Sequence, residues 1–185
     1  MMMSATTALR ALPRSRVLAP RRAAMTMKEG ATTVVVTGAS RGIGAAIAKD
    51  LGAQGCNVVV NYAASEGPAL EVVEAIKASG GDAIAIKANM AELDDIKAMF
   101  KQVASEFGGC DVLVNNAGLG RRAPLMSGET EHWREMLEGN VLGLSVCTRE
   151  AVADMTREDL GHVIHISSMA GHRTPAGSAM YSATK

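Results

Sequence analysis

Tyr181 and Lys185 stand four residues apart in the run Tyr181-Ser182-Ala183-Thr184-Lys185. On a helix that spacing places both side chains on one face, one turn apart. An ammonium in that position can hold down a phenol whose ordinary pKa is about 10 and make it a usable proton donor. Ser168 offers a hydroxyl thirteen residues before the tyrosine. Far upstream, Thr37-Gly38-Ala39-Ser40-Arg41-Gly42-Ile43-Gly44 forms a glycine-rich segment. Glycines let a main chain turn tightly and approach a pyrophosphate without Cβ collisions, and a helix N-terminus adds partial positive charge. Gly38, Gly42 and Gly44 at these spacings, between a strand and a helix, point to a dinucleotide cradle.

These groups need elements to bring them together. From Thr32 onward short apolar runs alternate with segments of helical period. Strands are expected over 33–37, 57–61, 83–87, 112–115 and 162–167, with helices over 43–54, 67–79, 93–107 and 130–155. The strands are β-branched and mainly apolar, as in a parallel sheet covered by helices on both faces. The fold class is therefore α/β, a doubly wound parallel sheet.

Composition sets outer bounds. The 185 residues suffice for one domain with a real core, and the formal net charge is zero. A neutral chain exerts no global pull on nucleic acid or on a membrane surface. No apolar run approaches the roughly 20 residues that span a bilayer. Cys56, Cys110 and Cys147 form no close pair, which suggests neither a disulfide frame nor a zinc site and fits a reducing compartment. His162, His165 and His172 lack a nearby cysteine or carboxylate to complete a ligand set, so no metal is expected.

Residues 1–28 differ from the rest. Arg10, Arg14, Arg16, Arg21, Arg22 and Lys28 are basic, and no acid precedes Glu29. That is the composition of an organellar transit peptide, with residues 29–185 forming the dinucleotide-binding domain. The alternatives are a disordered tail or a start at Met25 or Met27, which would leave the protein cytoplasmic.

The end of the second strand bears on the choice of nicotinamide cofactor. An NAD site places an acid there to bond the adenosine ribose hydroxyls. This chain reads Asn61-Tyr62-Ala63-Ala64-Ser65, with the first acid at Glu66. Without the acid a 2′-phosphate meets no repulsion, while Arg41 supplies counter-charge and Ser65 a hydroxyl donor. NADPH is favoured over NADH. The alternative leaves Arg41 solvated and folds Glu66 back to play the acid.

The glycine turn, the Asn115-Asn116-Ala117-Gly118 run and the Ser168, Tyr181 and Lys185 spacing together resemble the short-chain dehydrogenase/reductase family, from Thr32 to Lys185. The resemblance implies a tetrad completed by Asn140, 25 residues after Asn115. In it Tyr181 protonates a carbonyl oxygen while NADPH gives hydride to the carbon. Lys185 binds the nicotinamide ribose, Ser168 orients the carbonyl, and Asn140 holds a water linking Lys185 to solvent. It further implies cofactor contacts from Gly38, Ser40, Arg41, Gly42, Ile43, Gly44, Asn61, Tyr62, Ser65, Asn89, Asn116, Ala117 and Gly118, with Asn89 facing the adenine.

Within the family, residues 37–44, 59–63 and 111–118 are most similar to 3-oxoacyl-[acyl-carrier-protein] reductases. These reduce a 3-oxoacyl thioester, carried on acyl carrier protein, to the 3-hydroxyacyl thioester in fatty-acid synthesis, which favours the plastid over the mitochondrion. The segment 147–175 is more similar to reductases of ketosteroids and other small carbonyls. Family sheets carry two further strands, so the resemblance implies an incomplete five-stranded sheet of order 3-2-1-4-5 and a chain truncated after the Tyr-Lys motif. A family-type homodimer or homotetramer is expected only with the C-terminal part. Five residues cannot nucleate an isolated helix, so Tyr181 and Lys185 are expected to lack support, beside an exposed, aggregation-prone sheet edge. A non-catalytic remnant that binds only dinucleotide or protein stands as the second reading.

Overall fold

A computed structural model describes residues 31–155 and 161–185; the expected leader at 1–28 lies outside them. Five strands, β1 (Thr33–Val36), β2 (Asn57–Tyr62), β3 (Asp82–Lys87), β4 (Val112–Asn115) and β5 (His162–His165), form one parallel sheet of order β3-β2-β1-β4-β5. The helices are α1 (Gly42–Ala53), α2 (Glu66–Ala78), α3 (Leu93–Phe107), α4 (Thr130–Leu137), α5 (Leu144–Met155) and α6 (Ala179–Ala183). Among the described residues no helix is long and apolar enough to cross a membrane. Nor is any trio of His, Cys, Asp or Glu there placed to hold a metal ion.

The valine runs explain the layering. Successive strand residues face opposite sides of a sheet. Val34, Val36, Val58 and Val60 accordingly pack under α1 and α2, while Val35 and Val59 pack with α3 and α5. Helix α3 shows how the pattern chooses its face, since Ile96, Met99, Phe100 and Val103 are its buried residues. Gly108 ends it at φ 83, a left-handed cap that a side chain would resist. Strand β5 is the outermost neighbour of β4, and only Val163 among its residues is even half-buried.

Two expectations need correction. The helix expected over 130–155 is not continuous: α4 and α5 are joined by a π-helical turn, Glu138–Gly143. Residue spacing across such a turn widens, which re-aims side chains, and π-turns of this kind cluster at functional sites. The turn has Asn140 in it, fully buried. The second correction concerns Tyr181 and Lys185, which are not unsupported. The end of helix α6 is tied down by two tertiary hydrogen bonds. Asn140 donates to Thr184 Oγ1 at 2.9 Å, and Ser167 Oγ donates to the Lys185 carbonyl at 2.9 Å.

Candidate active site

All the singled-out residues lie at or beyond the C-terminal ends of the parallel strands, where an open α/β sheet leaves its crevice. Thr37, buried just past β1, ties two strand ends together. Its Oγ1 accepts from the N–H groups of Asn116 and Ala117 at 3.0 and 2.9 Å. Asn116 Nδ2 donates to the Thr37 and Gly38 carbonyls at 2.9 and 3.2 Å. Asn61 works from the other side: its Oδ1 accepts from Gly38 N at 3.0 Å, and its Nδ2 donates to the Ala88 and Ile86 carbonyls. The glycine turn is thus clamped between β2 and β4.

That clamping changes the parts assigned to several residues. Asn61 and Asn116 border the cavity, and the side-chain amide of each bonds the protein, while Asn116 Oδ1 has no partner among the described residues. Both shape the turn. Tyr62 is buried in the core and its hydroxyl donates to Glu66 Oε1 at 3.1 Å. Burial first, then that hydrogen bond and the Glu66 charge, raise the Tyr62 phenol above its ordinary value. Glu66 is engaged there and is not part of the cavity lining, so it does not fold back as an adenosine acid. Gly44 is packed rather than lining: a methyl there would lie 2.5 Å from Asn116 Nδ2 and 2.7 Å from the Gly38 carbonyl oxygen. Ile43 is 64% exposed on the first turn of α1 and also lies outside the lining.

A cavity of about 670 Å³ runs along this edge, lined at one end by Ser40, Arg41, Ser65 and Asn89 and at the other by Gly118 and Asn140. A dinucleotide fits what the residues present. Gly38 and Gly42 take φ of 62 and 59, turning the chain sharply where a side chain would be strained. The leading N–H groups of α1 have no intrahelical partners, and its first turn carries no acid. Arg41 is exposed and forms no ion pair with any described residue. The Ser65 hydroxyl likewise caps nothing. Asn89 Oδ1 accepts from Ala91 N, which leaves its amide N–H₂ for the cavity.

Tyr181 and Lys185 are brought to Gly120 and Gly118, while Ser168 caps the short turn Met169–Gly171; none of the three is among the residues that line the cavity. A methyl on Gly118 would lie 2.9 Å from Lys185 Nζ, and one on Gly120 would lie 3.5 Å from the Tyr181 ring. The segment Gly118–Gly120 therefore runs directly under both side chains. Lys185 Nζ also reaches the Ile166 carbonyl at 3.5 Å. The Ser168 oxygen accepts from Ala170 N at 3.2 Å, and its own proton remains available for a carbonyl. The Tyr181 hydroxyl has no protein partner among the described residues.

Asn140 is placed with this group, and its side chain is committed to the protein. Its Oδ1 accepts from Leu119 N at 2.7 Å, and its Nδ2 donates to Leu119 O at 2.8 Å and to Thr184 Oγ1 at 2.9 Å. Both amide hydrogens and the carbonyl are thereby occupied by protein. Thr37 and Thr184 were not singled out in the sequence. Each is a hydroxyl residue adjoining a motif residue, a signal that spacing alone does not rank.

Comparison with known proteins adds three findings. The family profile described as short chain dehydrogenase matches residues 32–185. A 3-oxoacyl-[acyl-carrier-protein] reductase, FabG, of Staphylococcus aureus is 47% identical over 153 residues, 83% of this chain and 62% of that protein. The dehydrogenase/reductase SDR family member 11 of Bos taurus is 46% identical over 157 residues, 82% of this chain and 61% of that protein. The chain thus spans about three fifths of the length of these curated relatives. Among solved structures, a metagenomic short-chain oxidoreductase in complex with NADP superposes with a TM-score of 0.80 at 38% identity, over 84% of this chain and 70% of that one.

Proposed function

This chain belongs to the short chain dehydrogenase family, and from that premise we propose that it is an NADPH-dependent carbonyl reductase acting on 3-oxoacyl thioesters. The observation that carries the reading is the convergence of Tyr181 and Lys185 over Gly118–Gly120, at one end of the dinucleotide-sized cavity. Bound NADPH would supply hydride to the substrate carbonyl carbon.

The protein's own groups do the rest. Tyr181, its hydroxyl free of protein partners, donates the proton that the carbonyl oxygen takes up. Lys185, one turn along the same face, meets the negative charge left on the phenolic oxygen. Ser168 donates to the same carbonyl oxygen and fixes its direction. Asn140 acts through backbone, holding Leu119 and hence the floor beneath both side chains. At the far end Arg41 and Ser65 would hold the 2′-phosphate, supported by the diversion of Glu66 to Tyr62 and by the NADP in the solved relative. Removing an acid favours a phosphate only if a cation replaces it; of the two exposed arginines on the lining, Arg121 is paired with Glu135 at 2.9 Å, whereas Arg41 forms no ion pair with any described residue.

The thioester substrate rests on likeness to the Staphylococcus aureus enzyme. Oxidation of NADPH by the purified protein, followed by absorbance with acetoacetyl thioester and with a neutral ketone, tests it. Turnover of the thioester at least tenfold better, as kcat/KM, is expected. Turnover of the ketone alone would replace the substrate, and turnover of neither would overturn the reductase reading. We further propose import into an organelle, the plastid first, on the acid-free basic composition of residues 1–28. A fluorescent protein fused behind that leader should leave the cytosol; cytosolic fluorescence would reject import.

A further inference from the structure

We propose that Thr184 is a positioning residue, whose hydroxyl couples Asn140 to the Tyr181–Lys185 helix and so sets the proton donor over the site; the inference rests on the reductase reading above. The bonds around it have only one consistent set of directions. An amide nitrogen gives two hydrogens and accepts none, so Asn140 Nδ2 donates both to Leu119 O at 2.8 Å and to Thr184 Oγ1 at 2.9 Å. Having accepted, Thr184 Oγ1 gives its single proton to the Tyr181 carbonyl at 2.8 Å. Asn140 Oδ1 closes the set by accepting from Leu119 N at 2.7 Å. Asn140 is 2% exposed and Thr184 is 9% exposed, so bulk water cannot stand in for either partner.

One side-chain amide therefore holds two structures at once. On one side it fixes Leu119, which lies between Gly118 beneath the lysine ammonium and Gly120 beneath the tyrosine ring. On the other it fixes Thr184, the C-cap of α6, which stands between Tyr181 and Lys185 in the chain. Thr184 caps α6, its N–H and its hydroxyl both donating to the Tyr181 carbonyl, at 3.0 and 2.8 Å. Floor and donor are thus joined through a single hydroxyl, and the π-helical turn presents Asn140 to it.

The test is Thr184→Val, which keeps shape and removes the hydroxyl, beside Thr184→Ser, which keeps the hydroxyl. In NADPH oxidation, Thr184→Val is expected to lower kcat by on the order of tenfold to a hundredfold, with KM for NADPH within about threefold. Thr184→Ser should recover kcat to within about threefold. In a double-mutant cycle, Thr184→Val added to Asn140→Ala should slow the enzyme little further, since the two share one link. Amide hydrogen exchange supplies a readout independent of turnover. Thr184→Val should speed exchange across 179–185 and leave 118–120 protected, whereas Asn140→Ala should release both. A Thr184→Val enzyme within twofold of the parent in kcat, additive effects in the cycle, or equal losses in Val and Ser would overturn the proposal. Global loss of fold in Thr184→Val, seen by circular dichroism, would overturn it too, by reducing Thr184 to a merely structural role. Should the parent protein oxidise no NADPH, the reductase reading falls by itself. The exchange data then decide the clamp alone, and unchanged protection of 179–185 rejects it.

Discussion

Two glycines in the same π-helical turn, Gly139 and Gly143, should respond oppositely to the same added methyl group. At Gly143 a Cβ would fall well inside van der Waals contact with the Met90 carbonyl oxygen, and 2.9 Å from its carbon. The obstacle is backbone, which cannot rotate aside as a side-chain tip can, so the 88–92 segment would have to retreat by about an ångström. Overpacking against a well-packed core costs about 1–3 kcal/mol. A backbone obstacle puts Gly143→Ala at the upper end, offset by up to about 1 kcal/mol of reduced unfolded-state freedom. The net is a loss of about 2 kcal/mol, or roughly 4–8 °C in Tm for a chain of this size. At Gly139 the added methyl meets nothing within 4 Å. Gly139→Ala should therefore leave Tm unchanged or raise it by about 1–3 °C. Thermal unfolding by circular dichroism reads both. Because Met90 lines the cavity, Gly143→Ala should also weaken NADPH binding by fluorescence titration. A Gly143→Ala protein as stable as the parent would refute the close approach of the π-turn to the β3–α3 loop.

The other predictions concern the cofactor end, the clamp and the thiols. Arg41→Ala should lower kcat/KM for NADPH by about tenfold to a hundredfold, the worth of a charge-assisted phosphate contact, and leave NADH almost untouched; equal loss with both cofactors would remove Arg41 from the phosphate. Asn61→Leu deletes three hydrogen bonds and strands the half-buried Gly38 N–H, for about 2–4 kcal/mol. Its Tm should drop by on the order of 5–10 °C, and a drop of less than about 2 °C would contradict the clamp. Burial above all, with Asp154 and Asp111 adding, pushes the Cys110 thiol up to about 12, and burial with Glu150 does the same to Cys147. Burial raises Cys56 as well. All three should resist Ellman's reagent at pH 8 until the protein is unfolded; fast reaction of the native protein would contradict their burial. A raised thiol favours the folded state below the ordinary 9.0 and loses that advantage as pH climbs to about 12. The urea midpoint should therefore decline over that window, less steeply in Cys147→Ala; identical declines would exclude the thiol as a cause.

Strands were legible because valine runs carry their own signal, and their order was legible through the family resemblance. Helix α3 was legible from its apolar spacing alone. The π-helical turn was not. Its sequence, Glu138-Gly139-Asn140-Val141-Leu142-Gly143, continues an ordinary helical period, and one extra residue per turn changes no local propensity that a reader could detect. What selects it is distant: Leu119 and Thr184 both claim Asn140, and Gly143 must pass the Met90 carbonyl. Helix α6 was misjudged for a related reason. The nucleation argument holds for an isolated segment, whereas this one is tied from outside by Asn140 and Ser167.

The same distinction explains which motif residues act on a ligand and which on the protein. Asn61, Asn116 and Asn140 all sit at the crevice, and at each the side-chain amide bonds backbone groups of a neighbouring segment. An amide suits that work because it can donate and accept at once, so one residue can satisfy both edges of a non-repeating loop. The lining side chains with a group still open to a ligand include Ser40, Arg41, Ser65, the Asn89 amide N–H₂ and Asn116 Oδ1. Cofactor choice therefore rests on exposed side chains whose replacement costs the fold little, while the asparagines cannot change without moving the turn itself. Arg41→Ala and Asn61→Leu separate the two layers, since the first should alter selectivity at constant Tm. The second should alter Tm and bind both nicotinamide cofactors worse by the same factor.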